Sequence, residues 1–161
     1  MSDRLVPPAT VTVKRVSNAL KDREYVLLLD GESLCTIREQ SQGWKFWQRT
    51  FHTTVGAQQY HTERDTSFTK QTIRFLDPAG LCVAVDHNRT TLEYAGQRYG
   101  LEGWGALDWL VDAAGVKLLK FDWESGADTL QRVQINQPVA AELLAIATTV
   151  ALAHGSNAGG G

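Results

Sequence analysis

Residues 43–53, GWKFWQRTFHT, set cations and aromatics at alternate positions. Successive side chains of a strand point to opposite faces. Lys45, Trp47, Arg49 and Phe51 therefore share one face, and Trp44, Phe46, Gln48 and Thr50 share the other. If the second set lines the core, the first forms an outward row suited to an anionic headgroup. Lys and Arg pair with phosphate, and Trp settles at a polar–apolar boundary. Such a row also suits single-stranded nucleic acid, through stacking and backbone contacts. The plainer alternative packs Trp47 and Phe51 under a loop and leaves the cations on the rim of the fold. Lys70 and Arg74, on a nearby candidate strand, extend the patch. Arg74 lies between Ile73 and Phe75 and takes the face opposite theirs. The predicted ligand-binding set is Lys45, Trp47, Arg49, Lys70 and Arg74.

Other constellations carry less. His52 and His61 stand nine apart with no Cys or carboxylate at zinc-ligand spacing, so no metal site is predicted. His61, Glu63 and Asp65 alternate and share a face, which reads as a solvated one. Residues 100–105, GLEGWG, resemble a glycine-rich phosphate loop but lack its glycine spacing and the following Lys-Ser/Thr. Barrel-corner glycines account for them better. No Gly-x-Ser-x-Gly elbow occurs. The expectation is no catalytic residue, no cofactor and no enzyme activity.

These residues need a scaffold. A chain of 161 residues buries one sizeable core. With 43% hydrophobic and 21% charged residues its composition is that of an ordinary globular domain. The net charge of −2 supplies no global drive toward nucleic acid or anionic membrane, and nucleic acid is not an expected partner. The halves differ: residues 1–76 hold eleven Lys/Arg against eight Asp/Glu, and residues 77–161 hold five against ten. An anionic ligand therefore belongs on the first half. The opening MSDRLVPP has no apolar stretch of the secretory kind. Cys35 and Cys82, both in apolar runs, read as two small buried hydrophobes in a reducing compartment. A cytoplasmic location is expected, peripheral to a membrane where the basic–aromatic row meets lipid.

Twelve candidate strands follow one another: 10–16, 24–29, 33–38, 43–52, 57–64, 70–77, 80–86, 90–95, 97–101, 106–112, 115–124 and 128–135. Their spacing and turn signals argue for an all-β sandwich or barrel. Asp30-Gly31, Asp77-Pro78-Ala79-Gly80, Ala95-Gly96 and Asp112-Ala113-Ala114-Gly115 are explicit turns. The units FLDPAGL and LVDAAGV recur 35 residues apart, which reads as one hairpin chemistry used twice.

Residues 138–154, PVAAELLAIATTVALAH, carry Glu142 as their only acidic or basic charge before His154. A helix apolar on every side must be surrounded, and here only strands are available to surround it. Pro138 suits a first helical turn, Asn136 a cap, and Gly155 a stop. Six alanines make the helix thin. A barrel of about eleven or twelve strands can hold a helix. The reading is a mainly β protein: an antiparallel barrel of about twelve strands enclosing one C-terminal hydrophobic helix. Residues 1–9 form an extension, 10–154 the barrel domain with its helix over 138–153, and 155–161 a disordered tail.

A dozen strands, repeated Asp-x-x-Gly hairpins (FLDPAGLCVAV) and an all-apolar C-terminal helix (PVAAELLAIATTVALA) resemble the tubby C-terminal-like superfamily. That group includes tubby proteins, phospholipid scramblases and the LURP-one-related proteins, and the last, small single-domain type is the nearest. The resemblance covers residues 10–154. It implies a twelve-stranded barrel around a hydrophobic helix and a link to membrane phospholipids. No scramblase calcium-binding segment or palmitoylated cysteine cluster is matched. The expected function is a non-catalytic binding module for anionic phospholipid headgroups at a membrane surface. The alternative is a protein-interaction or structural barrel that uses the acidic second half, with Asp108, Asp112, Asp122, Glu124 and Asp128. A carrier of apolar ligands is disfavoured, because the helix fills the interior.

Overall fold

The computed structural model describes residues 4–16, 22–42, 45–66, 70–124 and 129–159. Fourteen strands precede one helix. They are β1 (Arg4–Leu5), β2 (Ala9–Arg15), β3 (Asp22–Leu29), β4 (Glu32–Gln42), β5 (Lys45–Val55), β6 (Gln58–Thr66) and β7 (Gln71–Leu76). Then come β8 (Cys82–His87), β9 (Thr91–Tyr94), β10 (Gln97–Glu102), β11 (Trp109–Val111), β12 (Lys117–Trp123), β13 (Leu130–Ile135) and β14 (Val139–Ala140). The helix α1 spans Ala141–Gly159. Strands β2 to β13 form a closed twelve-stranded antiparallel barrel in which each strand pairs with its chain neighbour, and β13 pairs with β2 to close the ring. Closure leaves the barrel no free edge.

Period-two patterning builds the wall. Val11 and Val13 of β2, Cys35 and Ile37 of β4, and Ile73 and Phe75 of β7 point inward and are buried. Their sequence neighbours face out. The repeated hairpin units are bonded alike. Asp77 Oδ1 accepts the amides of Ala79 and Leu81 at 3.0 and 2.9 Å. Asp112 Oδ1 accepts those of Ala114 and Val116, both at 2.9 Å. Gly80 and Gly115 follow at φ 86° and 85°, where a side chain is strained. One turn chemistry is used twice, as expected.

The strands alternate in direction, so the barrel has two ends. The lower end holds turns 30–31, 56–57, 77–81, 95–96 and 112–116 and the start of α1. The upper end holds turns 88–90 and 103–108 and the C-terminal part of the helix. Inside the barrel, residues 143–154 are all buried, and Leu144, Ala145, Ile146, Ala147, Val150 and Ala151 are 0% exposed. Alanines on the helix let the wall approach closely, and α1 rests chiefly against β5.

The helix boundaries differ from the expected 138–153. Val139 and Ala140 pair as β14 with Leu5 and Arg4 of β1, and Arg4 Nη2 donates to the Pro138 carbonyl at 3.0 Å. Strand pairing thus claims the residues that Pro138 was expected to start as helix, and α1 begins at Ala141. It then runs through Gly155, into the stretch expected as a tail, to Gly159.

Candidate functional site

The structure separates those members of the predicted basic–aromatic set whose side chains it describes. Phe51, expected to face outward, is 1% exposed, and Thr53 and Val55 follow it into the core. The reason is the helix: α1 rests chiefly against β5, and Thr53, in phase with Phe51, bonds Thr149 of α1. Arg49 follows the same phase. Its Nη1 lies 2.8 Å from Oε1 of Glu39, whose side chain is 4% exposed. Beyond Arg49 the pairing of β4 with β5 shifts: Ser41 faces Arg49 but Gln42 faces Lys45. The side chains of Lys45 and Trp47 lie outside the described residues. Lys70 is exposed just before β7. Arg74 faces outward, as expected, and its Nη2 lies 2.9 Å from Asp65 and 3.8 Å from Glu63. Arg49 and Arg74 stand on opposite faces of the wall, so one ligand cannot take both.

A different row forms on the outer wall. Cross-strand register sets Glu24 of β3 beside Arg38 of β4, Arg38 beside His52 of β5, and His52 beside His61 of β6. These side chains, with Thr36, Thr54 and Gln59, line a shallow groove of about 420 Å³. The two imidazole centroids are 6.4 Å apart. Burial, then the Arg38 charge and then His61, hold the His52 pKa below its ordinary 6.5. Arg38 has no hydrogen-bond or salt-bridge partner among the described residues. One guanidinium, two imidazoles and two threonine hydroxyls therefore face a single carboxylate, Glu24. The row can take an anion and hold it with several donors at once. One signal in the sequence points to part of it: His52 and His61 are equidistant from Gly56-Ala57, so a hairpin there sets them side by side.

Inside the barrel ionisable side chains meet at each end. At the lower end Glu142, the one charged residue of α1, accepts hydrogen bonds from Tyr60 and Tyr94. Burial, together with that carboxylate, raises both phenol pKa values. At the upper end Glu39 meets Arg49, and Asp86 meets His154 of α1. Arg64 stands among them. Burial lowers its pKa, Asp86 and Glu39 support its charge, and Arg49 opposes it.

Three smaller readings are also resolved. Cys35 is buried, and burial pushes its thiol up to about 12. Cys82, expected to be buried, is exposed, because β8 begins at the open lower mouth of the barrel. The glycine-rich stretch 100–105 runs from β10 toward β11, between strands as expected. A Cβ on Gly103 would lie 2.2 Å from the Ala106 carbonyl oxygen, so chain packing requires that glycine. Among the described residues no three His, Cys, Asp or Glu side chains gather to hold a metal ion, and no helix is long and apolar enough to cross a membrane. No protein-family model, curated protein or solved structure matches this chain.

Proposed function

We propose that this barrel is a binding module for an anionic, phosphate-bearing ligand, held on the outer wall by Arg38, His52 and His61. The observation that carries the reading is the row itself: three cationic or protonatable side chains on adjacent strands, in register, converge on one groove. The site lies on the basic first half of the chain. It differs from the basic–aromatic row over residues 45–51, but it calls for the same ligand chemistry. The groove is shallow and open to water. Its side chains bind charge without presenting a nucleophile ordered by a base, which favours binding over turnover.

A closed twelve-stranded barrel around an apolar helix supports kinship with the tubby C-terminal-like superfamily, and with it a phosphoinositide headgroup as the source of the phosphate. The test is co-sedimentation with phosphatidylcholine vesicles, with and without phosphatidylinositol bisphosphate, across a salt series. Calorimetry with soluble inositol trisphosphate runs in parallel. Binding to the phosphoinositide vesicles that salt weakens is expected. Arg38→Glu and the pair His52→Gln/His61→Gln should abolish it while leaving the core intact. Binding to inositol trisphosphate alone would assign a soluble phosphate ligand. Undiminished binding by Arg38→Glu overturns the reading.

A further inference from the structure

Asp86 and His154 meet inside the upper end of the barrel, Oδ2 to Nε2, at 2.5 Å. Their side chains are 0% and 3% exposed. The other oxygen, Asp86 Oδ1, and the other ring nitrogen, His154 Nδ1, are buried without a hydrogen-bond partner among the described residues. A buried polar atom left unsatisfied is costly and rare in a folded protein.

A cavity lies beside them. His154 lines a cleft of about 280 Å³ under the loop between β10 and β11, together with Arg89, Leu101, Ala106 and Leu107. Arg89 is fixed at this cleft by a hydrogen bond from Nη2 to the Gly105 carbonyl. A guanidinium carries five N–H donors, so others remain for a ligand. The backbone under Arg89 is unusual. Asn88 and Arg89 have φ 55° and 64°, and Thr90 N bonds His87 O across them. This is the tight hairpin geometry that favours glycine at the second position. This chain has an arginine there instead.

Nε2 of His154 is engaged by Asp86, and Nδ1 is the ring nitrogen left for a ligand.

We propose that this cleft is a second ligand site, one that takes a small hydroxy acid. The ligand hydroxyl bonds His154 Nδ1, its carboxylate meets Arg89, and its apolar body lies against Leu101 and Leu107. The site is independent of the outer row, which lies on other strands.

The test is calorimetry on the full chain with two hydroxy acids, 4-hydroxybenzoate and 4-hydroxybutyrate. Benzoate and butyrate lack the hydroxyl, and phenol lacks the carboxylate. At least one hydroxy acid should bind about tenfold more tightly than its hydroxyl-free partner, the worth of one hydrogen bond. Arg89→Gly suits the backbone and keeps the fold, yet it should weaken the hydroxy acid to the level of phenol. His154→Phe should erase the advantage of the hydroxyl. The proposal fails if neither hydroxy acid binds at millimolar concentration, if the hydroxyl adds nothing, or if Arg89→Gly binds as the parent does.

Discussion

The hydroxyl of Thr53 on β5 lies 2.8 Å from that of Thr149 on α1, and Thr149 donates to the Ala145 carbonyl, also at 2.8 Å. Because the Thr149 proton is committed to its own helix, Thr53 is the donor across the gap. The bond joins the wall to the helix it encloses, deep in an otherwise apolar contact. Thr149→Val keeps the shape but strands the Thr53 hydroxyl, and should cost about 1–3 kcal/mol. The double variant Thr53→Val/Thr149→Val strands nothing and should regain most of that loss. Urea unfolding of the parent, Thr53→Val, Thr149→Val and the double variant measures the coupling. Equal stability of the single and double variants would refute it.

The helix is packed on all sides, so its size is constrained in both directions. Leu144→Ala or Ile146→Ala, each at a fully buried position, should cost about 2–5 kcal/mol. Ala147→Leu, at a 0% exposed alanine facing the wall, should cost about 1–3 kcal/mol by overpacking. A neutral Ala147→Leu, read from thermal or urea unfolding, would mean that the barrel holds spare room.

Acid should destabilise the protein through His52. Its pKa is held below 6.5 in the folded state by burial, Arg38 and His61. Below 6.5 the unfolded chain therefore binds more protons than the folded one. Stability from this site is complete above about pH 6.5 and falls as the pH drops toward the folded-state value. His52→Gln should lose less stability than the parent between about pH 7.5 and about pH 5.5. Parallel pH profiles from urea unfolding would exclude the effect. Sulfate, whose charge is constant over this range, should bind more tightly at the lower pH if the row holds anions.

The twin turns predict matched penalties. Gly80→Ala and Gly115→Ala each force a side chain into left-handed backbone at φ 86° and 85°, with open space around it. Each should cost about 1–2 kcal/mol. Very different losses in unfolding measurements would show that the two hairpins differ in more than their bonding.

The thiols should separate by reactivity. Cys82 is exposed, whereas Cys35 is buried with its thiol pushed up to about 12. A thiol reagent should modify one equivalent in the native protein and the second only in denaturant. Cys82→Ser should abolish the native reaction, and survival of that reaction would place Cys35 in reach of solvent.

Much of the architecture is legible in the chain because the rules that write it are local. Alternation at Val11 and Val13 or Ile73 and Phe75 marks strands with one buried face. Asp77 and Asp112 each hold a turn with amides no more than four residues away. The apolar run from Leu143 to Ala153 needs an enclosing wall wherever it sits. Tertiary structure decides the rest. Alternation over residues 45–51 states that two faces differ, and the helix facing β5 selects the one with Phe51 and Arg49 as inner. The start of α1 depends on Arg4 and Leu5, well over a hundred residues away along the chain. The row Glu24–Arg38–His52–His61 exists only through the register of four strands, and the Asp86–His154 pair only through the depth to which the helix threads the barrel. A side chain's facing is a property of its strand, but its neighbours are set by closure of the ring, a global condition that no stretch of sequence carries alone.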